Sequence, residues 1–126
     1  MTAASDAPYH AHIYFKPEDR ATAAALRERL AAHPDVLLAG EICEGPAGPH
    51  PIPQFEIHFR EGALPSVRPI LEACGFSVLV HPLTHDDVAD HTRLADWIGA
   101  PIELDLSTLD PPGVNQGLAR FGKSDF

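Results

Sequence analysis

Six of the chain's eight histidines, His10, His12, His50, His58, His81 and His91, together with Glu56, offer the side chains best suited to coordination and proton-transfer chemistry. Two of them lie in YHAHIYF, residues 9–15, where His10, His12 and Tyr14 recur at every second position with Ala11, Ile13 and Phe15 between them. Neutral imidazoles beside a carboxylate form a ligand set that suits Fe(II), Zn, Mn or Ni, and two histidines with one carboxylate and open positions suit oxygen chemistry. Such a cluster left without metal is driven to low pKa by mutual repulsion. A spacing of two gathers these groups only if the segment is a strand, because alternate strand residues share a face.

The elements that must position them can be read from periodicity. Residues 9–15 alternate and are rich in aromatic and β-branched types, which predicts a first strand. Pro17, Glu18 and Asp19 suit a helix's first turn, and Ala23, Leu26 and Leu30 carry the helical spacing to His33-Pro34. Val36 to Cys43 is an apolar strand candidate, and EGPAGPHPIP, residues 44–53, has four prolines and two glycines and cannot be a regular element. Gln54 to Arg60 alternates again. Leu64, Val67, Leu71 and Cys74 form a helical stripe ending at Gly75, with Pro65 and Pro69 placing the regular start near Val67. Phe76 to His81 predicts a fourth strand, stopped by Pro82.

The order β-α-β-β-α-β predicts an α+β, ferredoxin-like sandwich with helices on one face of an antiparallel sheet and strands one and three central. A third helix is expected from Thr84 and Asp87 to Gly99, followed by a fifth strand over Ile102, Leu104 and Leu106. The whole chain 1–126 reads as a single domain: a loose N-terminus at 1–8, a ferredoxin-like core at 9–82, a helix-plus-strand extension at 83–109 and a tail at 110–126.

Alternation assigns Ala11/Ile13/Phe15, Phe55/Ile57/Phe59 and Phe76/Val78/Val80 to the core. The opposite face then receives His10, His12, Tyr14, Glu56, His58 and His81. With strand one taken as parallel to three and antiparallel to four, His10, His50 and His81 converge at one end, with His12 and Glu56 one step along. His91 follows Val88 and precedes Ala95 and Ile98 on the inward stripe of the third helix, where a hydrogen-bonded core histidine and a catalytic or supporting role are both open. Alternating histidines on a strand also fit a solvent-facing surface or a dimer interface. His33 and His85, at helix ends, read as solvated or capping residues.

Composition narrows the partners. Eighteen acidic against nine basic residues give a formal charge of -9, and the cations are scattered, so nucleic acid and anionic membranes are poor partners. No apolar run approaches the roughly 20 residues needed to span a bilayer, and MTAASDAP lacks a basic region followed by an apolar one, which points to a cytoplasmic protein. Cys43 and Cys74 form no CxxC and are expected as small buried hydrophobes in a reducing compartment.

YHAHIYF, GPHP at 48–51, QFEIHF at 54–59, LVHPLTHDD at 79–87 and DHTRLADWIGAPIELD at 90–105 resemble the DOPA 4,5-dioxygenase family of small ring-cleaving enzymes, in the family's order and from Tyr9 to about Asp105. The resemblance implies an Fe(II)-dependent extradiol dioxygenase acting on a catechol such as DOPA with O2, with Zn, Ni or Mn possible occupants of a purified sample. The family's motif histidines fall at His10, His12, His50, His81 and His91.

From strand parity together with the resemblance, His10, His12, His81 and Glu56 are the expected metal ligands. His50 is the first choice for proton shuttle and His91 the second, and Tyr14, His58 and Trp97 are expected to contact substrate. From another class, a non-catalytic dimeric module holding an aromatic molecule or structural metal fits the same residues. Because helices cover only one face of such a sheet, a homodimer is expected, its partner chain closing each site.

Overall fold

The computed structural model describes residues 6–111 and 113–122. Five strands, β1 (Pro8–Tyr14), β2 (Leu38–Ala39), β3 (Gln54–Arg60), β4 (Ser77–Pro82) and β5 (Asp96–Ile98), form one sheet in the order β2-β3-β1-β4-β5. Two long helices, α1 (Arg20–Ala31) and α2 (Leu64–Ala73), follow β1 and β3. The architecture is therefore the expected α+β, ferredoxin-like arrangement with β1 at its centre. Short helices α3 (Asp87–Asp90) and α4 (Gln116–Ala119) belong to the C-terminal third.

Alternation sorts the sheet's two faces as the pleat requires. Ala11, Ile13, Phe55, Ile57, Phe59, Val78 and Val80 meet Ala23 and Leu30 of α1 and Val67 and Leu71 of α2 in one apolar core, nearly all of it excluded from solvent. Full burial of each large side chain here stabilises by about 1.5–3 kcal/mol, so the opposite face is free to carry polar groups. Pro65 stands in the first turn of α2, where its missing N–H is no loss, and the helix accordingly starts at Leu64 rather than at Val67 despite Pro69 inside it.

Four expectations are corrected. First, β1 is antiparallel to β3 as well as to β4, with His10 opposite His58 and His81, and Tyr14 opposite Gln54 and Ser77. An intervening helix and a hairpin reverse the chain so that β3 begins beside the end of β1, which delivers His50 to the Tyr14 end. Second, the third helix stops at Asp90, because that carboxylate turns back to accept from the Thr84 backbone N–H at 2.9 Å and hydroxyl at 2.6 Å. The chain beyond it is taken by the open edge of β4, where Trp97 pairs with Leu79 and Ile98 with Val78.

Third, the added strand is therefore β5 at 96–98 and not 102–106; the latter alternates in exposure only as far as Asp105, Leu106 is exposed and opens a 3-10 turn, and Asp105 donates its N–H to the Pro49 carbonyl at 2.9 Å. Fourth, the segment from Val36 to Cys43 contributes only β2 and one bridge from Cys43 to Gln54, and Cys43 is exposed, not buried. A Cβ at Gly40 would stand 3.3 Å from Glu56 Cγ, a tight contact, and Gly40 donates its N–H to the Glu56 carbonyl at 2.8 Å, so the chain runs close against β3 there. Of the expected loose N-terminus, residues 1–5 lie outside the described residues, as do 112 and 123–126 of the expected tail.

Candidate metal centre

Register alone places His58, His10 and His81 side by side across three strands, with Glu56 and His12 in the next row and Gln54 and Tyr14 in the one after. The Pro-rich loop folds His50 over this face, and the turn after α3 adds His91. All six of these histidines are less than a tenth exposed, and Glu56 is intermediate. The roof is made by the chain itself: the 44–53 loop, α3, and residues 105–111 and 113–122.

Hydrogen bonds fix the ring orientations. Carbonyl oxygens only accept, so His81 donates its Nδ1–H to the Pro82 carbonyl at 2.7 Å and His91 donates its Nδ1–H to the Asp87 carbonyl at 2.8 Å, with Asp87 Oδ1 at 3.3 Å. Both rings thereby present Nε2 as a lone pair, in the state a metal-binding imidazole adopts when its other nitrogen is held by a carbonyl. His12 Nδ1 lies 3.3 Å from Gln54 Oε1, and its Nε2 is 2.9 Å from His81 Nε2. Two lone pairs at that separation repel unless a cation joins them. With metal–nitrogen distances of about 2.0–2.1 Å, two ligands at a right angle on one metal stand about 2.9 Å apart.

Three groups of donors each bring their ligand atoms within 4.8 Å of one another: His10, His12 and His81; His12, His50 and His91; and His10, Glu56 and His58. Thus the structure draws His10, His12 and His81 together as expected and adds His50 and His91 to them through His12. Glu56 stands apart from that set. Its Oε2 accepts from His58 Nε2–H at 2.7 Å and is 3.8 Å from His10 Nε2, while Oε1 is 3.9 Å from His12 Nδ1. The donor chemistry fits a divalent transition metal, with imidazoles supplying the first choice of ligands.

Charge on this face is suppressed by burial. His50 and His81 are each lowered to about 3, first by loss of water and then by the neighbouring His91, a fall that the Pro82 hydrogen bond opposes in His81. His10 and His12 are lowered well below the ordinary value for the same leading reason, with further repulsion from the surrounding imidazoles. At neutral pH these rings are neutral, which is the form that binds metal.

The remaining expected site residues divide. Tyr14 Oη is 2.7 Å from His50 Nδ1, and burial raises its pKa. Trp97 stacks on Tyr14 with centroids 5.7 Å apart. His58 sits beneath the roof: it accepts from the Gly122 N–H at 2.9 Å, donates to Glu56, and is stacked by Phe121.

Sequence reading missed Asp90, Asn115 and Gly117. Asn115 donates to Asp90 Oδ2 at 2.9 Å and to the Thr84 carbonyl at 2.6 Å, and its Oδ1 caps α4 by accepting from the Leu118 N–H. This pins α4 over His10: a Cβ at Gly117 would lie 3.8 Å from His10 Cε1 and 3.4 Å from Leu83. The run N-Q-G-L at 115–118, an Asn directly ahead of the short helix, is the sequence signal for that cap.

A cavity of about 290 Å³ opens onto the cluster, lined by His10, His12, His81, His91 and residues of the roof. A second, of about 600 Å³, lies between β2 and the 44–53 loop and reaches His50, Gln54 and Glu56. The first is at the small end for ligand sites.

Fold and site together define a small α+β protein whose sheet carries a buried polyhistidine centre under a roof of its own chain. Comparison with known proteins gives the family: residues 9–108 match the Dopa 4,5-dioxygenase family, and the chain belongs to it. It is 32% identical over 111 residues to the DOPA 4,5-dioxygenase of Amanita muscaria, covering 80% of this chain and 49% of that one. It is also 31% identical over 112 residues to an uncharacterized 21.2 kDa protein of Botryotinia fuckeliana, covering 79% and 61%. The chain thus spans about half to three-fifths of the length of these curated relatives. A crystal structure of a candidate dioxygenase from Nostoc punctiforme superposes with a TM-score of 0.77 at 34% identity, covering 86% of this chain and 95% of that one.

Proposed function

We propose that this protein is a metal-dependent extradiol dioxygenase that opens the ring of a catechol such as DOPA, inserting both atoms of O2 as one ring C–C bond beside the diol is broken. The observation that carries this reading is the 2.9 Å approach of His12 Nε2 and His81 Nε2, with the far nitrogen of each ring held by Gln54 and Pro82. Family membership supports the dioxygenase class.

In this reading His12, His81 and His10 would hold the metal, Fe(II) before Zn, Ni or Mn, while Glu56 holds His58, on which His10 stacks. A bound divalent metal acidifies a catechol and brings it beside O2. The protein's own part is then to bind, orient and relay. His50, hydrogen-bonded to Tyr14 Oη, is the group placed to relay a substrate hydroxyl proton, and His91 stands second to it, its orientation fixed by Asp87. The roof keeps water from the reacting ring.

Because that roof is supplied in cis, the site can close within one chain, and a homodimer would add to that cover rather than complete it. Sedimentation equilibrium with parallel assays separates an active 13.6 kDa monomer from an obligate dimer. Among the described residues no helix is long and apolar enough to cross a membrane.

Anaerobic reconstitution with Fe(II), followed by air and DOPA, tests the proposal. The expected result is O2 uptake matched by a yellow ring-opened product. Tight Zn or catechol binding without O2 uptake would instead favour the binding module.

A further inference from the structure

The two cavities share Gly48, Pro49, Glu56 and Arg120 in their linings, so the space over the histidines and the trough beside β2 meet at one rim. Arg120 is the single Lys or Arg that lines both. Its guanidinium makes one 3.3 Å hydrogen bond to Gln116 Oε1, and no carboxylate lies within 4.0 Å of it among the described residues. By contrast Arg27, the other cation of the trough, is occupied by the Gly40 and Ala39 carbonyls and by Glu28 and Glu41.

The backbone that carries Arg120 is firmly held. Asn115 caps α4 and is tied to Asp90 and Thr84, Gln116 donates its N–H to Asp110 Oδ2 at 2.8 Å, and Arg120 donates its own N–H to the Gln116 carbonyl at 3.0 Å. In a chain of net charge -9, a cation placed at this rim with donors to spare works against the general field of the protein. Guanidinium groups present a fork of donors matched to a carboxylate.

We infer that Arg120 selects catechols bearing a carboxylate on the ring substituent, receiving that group at the rim while the diol lies over the histidines. This rests on the catechol reading above. The smaller cavity meets the larger space at the rim of Gly48, Pro49 and Arg120, so a substituent on a ring seated over the histidines has room to extend towards Arg120.

The test is anaerobic calorimetry on the Fe(II)-loaded protein with two probes, 3-(3,4-dihydroxyphenyl)propionate and the uncharged 4-ethylcatechol, and with R120Q and R120K beside the parent. Since Arg120 is exposed, its preference for the charged probe is expected at roughly three- to tenfold. R120Q should bring the ratio of the two affinities close to one, R120K should retain part of it, and 0.5 M salt should reduce it in the parent. In turnover the same change should appear in KM for the charged catechol more than in kcat. A parent that binds both probes equally, or an R120Q protein that keeps the preference, overturns the inference and leaves the catechol reading standing. A parent that binds neither overturns both.

Discussion

Asp87 and His91 are joined twice, the ring's Nδ1 lying 2.8 Å from the Asp87 carbonyl oxygen and 3.3 Å from its Oδ1, one turn of chain apart. The same carboxylate accepts from the Asp110 N–H through Oδ2 at 2.9 Å. One short helix thus orients a ring of the centre and anchors the roof above it. In Asp87→Ala the roof contact is lost and the ring keeps only the carbonyl, so we expect weaker metal retention and a lower Tm together, measured by metal analysis and calorimetry. A variant that loses Tm but keeps full metal affinity would separate the two tasks.

His81→Ala and His10→Ala should each abolish stoichiometric metal retention while keeping the far-UV spectrum, because both lie on the face opposite the apolar core. Metal content of the purified proteins decides it. Full occupancy in both would place the centre elsewhere.

Tyr14→Phe removes the 2.7 Å bond to His50 and leaves the stack on Trp97. A single hydrogen bond of this kind contributes about 0.5–1.5 kcal/mol, so kcat should fall by no more than about tenfold with metal content unchanged. An unaltered kcat would remove Tyr14 and His50 from the proton path.

The metal-free protein should lose stability in acid. His50 and His81 titrate near 6.5 when unfolded and near 3 when folded, so between those values the unfolded chain binds more protons. Their contribution is complete above pH 6.5 and is lost as pH falls towards 3. Thermal melts of chelator-treated protein should give a Tm that is level above about pH 7 and declines below it. A Tm that rises on acidification would mean the rings are charged in the fold.

Asp90→Ala deletes the acceptor for the Thr84 N–H, the Thr84 hydroxyl and the Asn115 amide at a fully buried position. At about 1 kcal/mol for each bond, the loss is about 2–4 kcal/mol. Urea unfolding gives the number. A change below 0.5 kcal/mol would show that the network is not what holds α4.

The strands of the core were legible because each has one wholly apolar face, and Ile13, Phe55, Ile57 and Val78 could sit nowhere else. The site's sheet residues followed from the same parity. Its roof did not, since Asp90, Asn115 and Gly117 act through side-chain bonds to distant backbone, which leave no period in the sequence. The β5 error has a related cause: Ile102, Leu104 and Leu106 alternate as a strand would, but the edge of β4 was already occupied by Asp96–Ile98. The misplacement of His50 came from direction, since parity assigns a face and says nothing of which end of a neighbouring strand a loop enters.

Trp97 is the chain's single tryptophan, and its ring lies against Tyr14, which in turn holds His50. All indole emission from this molecule therefore originates beside the centre. An open-shell ion or a catechol seated over the histidines should quench it, so the protein carries an optical gauge of its own occupancy. Filling can be followed in dilute solution, one addition at a time, without a label.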